Sequence, residues 1–135
     1  MMRLAKLLIR DHEGLKLNPY RCPAGKLTIG YGRNLEDRGI TKAEAEILLD
    51  NDIAECTADL ETLSYWGGLS DERKAVLIDM RFCLGPGGFR QFRKMDAALK
   101  NGDFEEAARQ ILDSRFAEQT GRRAIKLAGI IRDGG

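Results

Sequence analysis

The stretch Asp11-His-Glu-Gly14, followed by Tyr20-Arg-Cys-Pro-Ala-Gly-Lys-Leu-Thr-Ile-Gly-Tyr-Gly32, decides how this 135-residue chain is read. Upstream of it, Leu4, Leu7, Leu8 and Asp11 follow i, i+3, i+4, i+7 spacing, which predicts an amphipathic helix of about three turns ending near residue 12. Gly14 is its natural C-terminal cap. Glu13 then lies at the negative end of the helix dipole, a position from which a carboxyl can act as a general acid. Downstream the period changes to two. Leu27, Ile29 and Tyr31 alternate with Thr28, Gly30 and Gly32, after a turn supplied by Pro23-Ala24-Gly25. The expectation is a strand with its bulky face packed inward and an open, glycine-lined face, shared by Thr28, where a large ligand can approach the backbone at Gly30. An acid at a helix end, facing a thiol (Cys22) and a hydroxyl (Thr28) on a small-residue strand, is the arrangement expected of a hydrolytic site.

The rest of the chain reads as helical. No helix is expected between Arg33 and Thr41. Thr41 and Glu44 form a capping box, and Ala45, Leu49, Ile53, Cys56, Leu60 and Leu63 continue a stripe for about six turns, long enough to bridge two lobes. Beyond Trp66-Gly67-Gly68, Ser70 caps a more apolar helix through Ala75 to Phe82, ended by Gly85-Pro86-Gly87-Gly88. Three shorter helices are expected: Phe89 to Leu99, Asp103 to Leu112 and Thr120 to about Arg132, with Asp133-Gly-Gly135 frayed.

Composition narrows the function. The length suits one domain with its own core. Lys and Arg number 22 against 21 Asp and Glu, so no net field announces a nucleic-acid partner. Residues 1–70 carry 9 basic and 11 acidic side chains and residues 71–135 carry 13 and 10, a mild cationic excess that suits an anionic polymer such as a cell wall. Cys22, Cys56 and Cys83 are odd in number and irregularly spaced, and His12 is the single histidine, so neither a disulfide framework, a metal site nor a cofactor is indicated. Cys56 and Cys83 read as small buried hydrophobes. The apolar run before Arg10 is too short for a secretory leader or a membrane span.

Taken together, Glu-Gly-Leu-Lys-Leu17, Leu-Thr-Ile-Gly-Tyr-Gly32, Gly-Ile-Thr-Lys-Ala-Glu-Ala-Glu46, Arg-Phe-Cys-Leu-Gly85, Glu-Glu-Ala-Ala108 and Ser-Arg-Phe116 with Gln-Thr120 resemble the T-even phage type lysozymes, the muramidases of glycoside hydrolase family 24. The family's catalytic pattern, a Glu, eight residues, Asp or Cys, five residues, Thr, is met by Glu13, Cys22 and Thr28. The resemblance implies an α+β, mostly helical, two-lobed fold. Its small sheet lobe would cover about residues 14–45, its connecting helix about 41–63, and its helical lobe about 64–135 with the N-terminal helix 1–12. It implies hydrolysis of the β-1,4 bond between N-acetylmuramic acid and N-acetylglucosamine, with Glu13 as acid and Cys22 and Thr28 placing water. Cys22 stands where a carboxylate is commoner; direct attack by its sulfur is the alternative. Gly30, Arg33, Phe82 and Gln110 correspond to substrate-binding positions, Arg33 replacing a frequent histidine, and Arg123 is the implied partner of Glu13. A lytic transglycosylase and a glycan-binding homologue without turnover are the competing readings. The implied biology is a monomeric phage endolysin with bacterial peptidoglycan as its partner, made in the host cytoplasm and released to the wall, with no nucleic acid, stable membrane insertion, metal or cofactor.

Overall fold

Helix α1, Met2–Glu13, ends where Gly14 adopts φ 69° and returns its N–H to the carbonyl of Arg10 at 3.0 Å, in a computed structural model that describes residues 1–134. Glu13 is thus the last helical residue, as the Gly14 stop requires. A three-stranded antiparallel sheet follows, in the order β1 (Lys16–Arg21), β2 (Leu27–Gly30) and β3 (Arg33–Asn34). Pro19 is tolerated because β1 is an edge strand, and the register shifts between Lys16 and Tyr20. The turn into β2 closes with Gly25 N–H on Cys22 O at 2.8 Å and Cys22 N–H on Lys26 O at 3.0 Å.

Two expectations fail here. Thr28 is not on an open face: it is 2% exposed, whereas Leu27 and Ile29 are half-buried and Tyr31 is exposed. Burial alternates along β2 from Leu27 to Ile29, so the face that carries Thr28 is the one turned inward, and Thr28 has a cross-strand neighbour on either side, Tyr20 and Asn34. Second, a single helical turn, α2 (Leu35–Arg38), occupies the segment expected to lack one. The Asn34 side chain caps it by accepting from Asp37 N–H at 2.9 Å, and Gly39, at φ 61°, stops it.

Helix α3, Lys42–Leu60, starts with the capping box read from sequence: Glu44 N–H donates to Thr41 Oγ1 at 3.1 Å and Thr41 N–H to Glu44 Oε1 at 2.8 Å. It ends three residues short of Leu63, in a series of tight turns through Trp66–Gly68. The chain divides into two compact units, and the boundary, after Leu48, falls inside α3. The first unit contains α1 with the sheet.

In the second unit α4 (Asp71–Arg90), capped by Ser70, is interrupted at Gly85, whose φ of 73° is non-helical; Pro86 then opens a short continuation. The glycine-proline stop is therefore real, but the chain re-enters a helix at once. The expected helix Phe89–Leu99 is correspondingly split: Phe89 closes α4, and α5 is Arg93–Lys100. Helix α6, Phe104–Leu112, is capped by Asp103 as read. A further helix, α7 (Arg115–Thr120), capped by Ser114, was not anticipated, and it consumes Thr120: the hydroxyl donates back to Phe116 O at 2.8 Å. Gly121, not Thr120, precedes α8 (Arg122–Asp133). Asp133 is still helical and Gly134 caps the helix in the left-handed region, so neither is frayed; residue 135 lies outside the described residues. Leu60, Leu77, Met80, Met95, Ile111 and Ile131 form the centre of this unit's core, each under 2% exposed. The whole is α+β and mostly helical, as the sequence predicts.

Candidate active site

Five of the predicted groups lie in the first unit, the three catalytic ones among them. Glu13 closes α1, and its carboxyl lies against the β2–β3 turn: a β-carbon built on Gly32 would stand 2.6 Å from Glu13 Oε2 and 2.8 Å from its Cδ. Cys22 sits at the β1–β2 turn, half-buried, and Thr28 is in the middle of β2. The Thr28 hydroxyl donates to Lys26 O at 2.8 Å, leaving its oxygen lone pairs as acceptors. Backbone hydrogen bonding at Lys26 holds the Cys22 thiol below its ordinary range; burial opposes this, and Ala24 and the Thr28 hydroxyl add to it. A thiol next to a threonine, poised to ionise more easily than a free cysteine, can orient or deprotonate a water molecule.

Gly30 ends β2 at φ 70°, with nothing within 4 Å of where a β-carbon would stand, so its backbone is open to close approach by a ligand. Arg33 is committed elsewhere within the same unit. Its two terminal nitrogens donate to Glu44 at 2.9 and 2.7 Å, and Nη1 also reaches Gly39 O at 3.2 Å. The effect runs both ways: Arg33, chiefly, holds the Glu44 carboxyl down at about 2, and Glu44 raises the Arg33 guanidinium. Sequence reasoning saw in Glu44 only a helix cap, because nothing in a span of 11 residues signals that Arg33 returns to it.

The remaining candidates belong to the second unit. Phe82 is exposed and lines an apolar groove of about 480 Å³ with Leu49, Ile53, Ala75 and Ile78. At the rim of that groove Arg123 Nε donates to Asp79 Oδ1 at 2.7 Å, so the cation predicted to serve Glu13 has a carboxylate partner of its own. Gln110 is half-buried in a groove of about 510 Å³ with Arg93, Arg115 and Gln119, and donates to Glu106 Oε1 at 2.7 Å. Cys56 is buried as expected, but Cys83 is exposed, which corrects its reading as a core residue. The buried face of α4 runs through Val76, Met80, Leu77 and Arg81, and position 83, about 20° beyond Val76, falls just outside its edge.

The phage lysozyme family matches residues 10–132, which include every one of these groups. The chain belongs to the phage lysozyme family. It is 30% identical, over 98% of its length, to the pre-baseplate central spike protein Gp5 of Enterobacteria phage T4, and spans 28% of that longer protein. With an endolysin of Acyrthosiphon pisum secondary endosymbiont phage 1 it shares 32% identity over 93% of this chain and 86% of the relative. Identity to "Probable T4-type lysozyme 1" of Dictyostelium discoideum is 26% over 99% of this chain and 96% of that protein. Phage lysozymes are glycoside hydrolases that act on peptidoglycan, and the chain is placed in that enzyme class by its family. None of the helices among the described residues is long and apolar enough to cross a membrane.

Proposed function

We propose that this chain is an endolysin-type muramidase that hydrolyses the β-1,4 bond between N-acetylmuramic acid and N-acetylglucosamine, with Glu13 as the general acid. The observation that carries the reading is the seat of Glu13: the only carboxyl of the family's catalytic pattern is pressed against Gly32, on the hairpin that also holds Thr28. Glu13 gives its proton to the departing glycosidic oxygen. Cys22, the more accessible of its pair, and Thr28 place the attacking water, whose surplus proton leaves to solvent. Water then adds to the anomeric carbon from the face opposite the leaving group, and the configuration inverts. Gly30 offers open backbone to the sugar, and Phe82 and Gln110 extend the contact with the glycan. The protein works as a monomer, made in the host cytoplasm and acting on the wall, without metal or cofactor. The endolysin relative, which this chain spans for 86% of its length, supports that role over a part in a larger spike.

The test is lysis of outer-membrane-permeabilised bacteria, followed by turbidity, with the products identified by mass spectrometry. Glu13→Gln should abolish lysis, and Cys22→Ser should leave a measurable remainder, because a hydroxyl still orients water. Full lysis by Glu13→Gln would end the assignment. A 1,6-anhydro product would replace it with lytic transglycosylase chemistry.

A further inference from the structure

Glu13 is held from behind by a residue with no side chain. At Gly32 a β-carbon would meet Oε2 at 2.6 Å, Cδ at 2.8 Å and Cγ at 3.1 Å, and φ is 74°, so the bare backbone of the β2–β3 turn forms a wall against which the carboxyl rests. A wall positions an acid only if it is itself fixed. The hairpin that carries it is short: Thr28 pairs with Asn34 and Ile29 with Arg33, and β3 has only two residues. Two such pairs do not make a rigid element.

The rigidity comes from outside the sheet. Arg33, the residue next to Gly32, is gripped bidentately by Glu44, at 2.9 and 2.7 Å, and its Nη1 also donates to Gly39 O at 3.2 Å. Glu44 is in turn fixed in the first turn of α3, where its Oε1 accepts Thr41 N–H at 2.8 Å. Planar, two-point pairing fixes orientation as well as distance, which a single bond to a lysine cannot do. An unbroken series of close contacts therefore runs from the start of α3 through Glu44 and Arg33 to Gly32 and the Glu13 carboxyl.

We propose that Arg33 and Glu44 are positioning residues for the acid: their ion pair clamps the β2–β3 hairpin to the start of α3, so that Gly32 backs the Glu13 carboxyl and the strand bearing Thr28 keeps its register. The proposal rests on Glu13 being the acid. It assigns Arg33 a role different from direct contact with sugar, and the two roles separate kinetically. Loosening a wall displaces the proton donor, which lowers kcat; removing a substrate contact raises KM. Misplacement by about 1 Å can cost on the order of a hundredfold in rate, and partial loosening of a turn held at other points should cost roughly tenfold.

The experiment measures kcat and KM on soluble peptidoglycan oligosaccharides, each variant assayed well below its own Tm. Arg33→Lys keeps the charge and loses the two-point geometry. Glu44→Gln keeps an oxygen for Thr41 N–H and loses the ion pair, so it carries the test should Arg33→Lys fail to fold. Arg90→Lys, which breaks a comparable two-point pair with Asp59 in the second unit, is the control for stability alone. Each clamp variant should lose about tenfold in kcat with KM held within about twofold, and the double variant should be no worse than the poorer single. The control should lower Tm and leave kcat in place. The proposal is overturned if the clamp variants only lower Tm, if KM rises at constant kcat, or if the two losses multiply. Glu13→Gln, run alongside, separates the failures: an active Glu13→Gln sinks the acid assignment, whereas an inactive one beside fully active clamp variants sinks only the clamp.

Discussion

Replacing Asp59 by alanine removes the acceptor for three hydrogen bonds at once. Arg81 Nε donates to it at 2.6 Å, and Arg90 donates through Nη1 and Nη2 at 2.8 and 2.7 Å. The two arginines do not lose equally. The Arg90 side chain is 42% exposed and can return to water, so its share is worth less than about 1 kcal/mol. The Arg81 side chain is 10% exposed, and its other contact is the Cys56 sulfur at 3.9 Å, so the substitution strands a buried cation. Stranding one member of a buried pair costs about 3–5 kcal/mol, and the partial exposure of Asp59 brings the expectation to the lower end, about 3 kcal/mol. In a chain of this size that is a fall in Tm of roughly 10 °C. Urea and thermal unfolding of wild type and Asp59→Ala measure it. Asp59→Ala combined with Arg81→Met should be more stable than Asp59→Ala alone, because the stranded charge is gone. A loss below about 1 kcal/mol, or a double variant no better than the single, would refute the reasoning and reduce the network to an ordinary surface pair. The sign with pH follows from the direction of the shift. Arg90 first, then Arg81, hold the Asp59 carboxyl below its usual range, so its contribution is complete above the unfolded value near about 4 and fades as pH falls through the folded one. The gap between wild type and Asp59→Ala should therefore narrow in acid.

The same linkage applies to Glu44, which Arg33 and the Thr41 backbone hold down at about 2: the Tm difference between wild type and Glu44→Gln should be constant from about pH 5 to 7 and close as pH falls toward about 2, in a series of thermal melts. Thiol alkylation reads the cysteines separately. Iodoacetamide should modify Cys22 with a rate that stays high to lower pH than the same residue shows in urea, while Cys56, 3% exposed, should react only on unfolding. A folded-state profile for Cys22 that overlays the denatured one would remove the case for an easily ionised thiol.

The elements whose signals are local were legible in the sequence. Gly14 ends α1, Thr41 and Glu44 box the start of α3, and Asp103 caps α6, because each depends on groups within four residues of one another. Interruptions were less readable: Gly85-Pro86 does break α4, but a proline that ends one helix is also well placed to begin another, and only the packing of Phe89 into the core tells which. The missed helix α7 took Thr120 for its end, since a threonine hydroxyl serves either as an N-terminal cap or as a donor to the preceding turn, and the spacing alone does not distinguish the two.

The face assigned to Thr28 shows where pattern reading loses its grip on the site. Alternation of large and small residues tells which side of a strand is bulky, and in a broad sheet with one wet face the bulky side is the buried one. In this three-stranded sheet the order is reversed: Thr28 is 2% exposed between half-buried Leu27 and Ile29, and Tyr31, just beyond the strand, is exposed, so the small-residue face is the one turned inward. The glycines keep a meaning, but a different one at each place. Gly30 is bare toward open space and can admit a ligand, whereas Gly32 is bare because the Glu13 carboxyl already occupies the volume. A methyl group would relieve nothing at the first and evict the acid at the second. The same letter, two residues apart in one motif, is thus a door in one case and a wall in the other, and the difference lies in what the helix end, not the strand, brings to the turn.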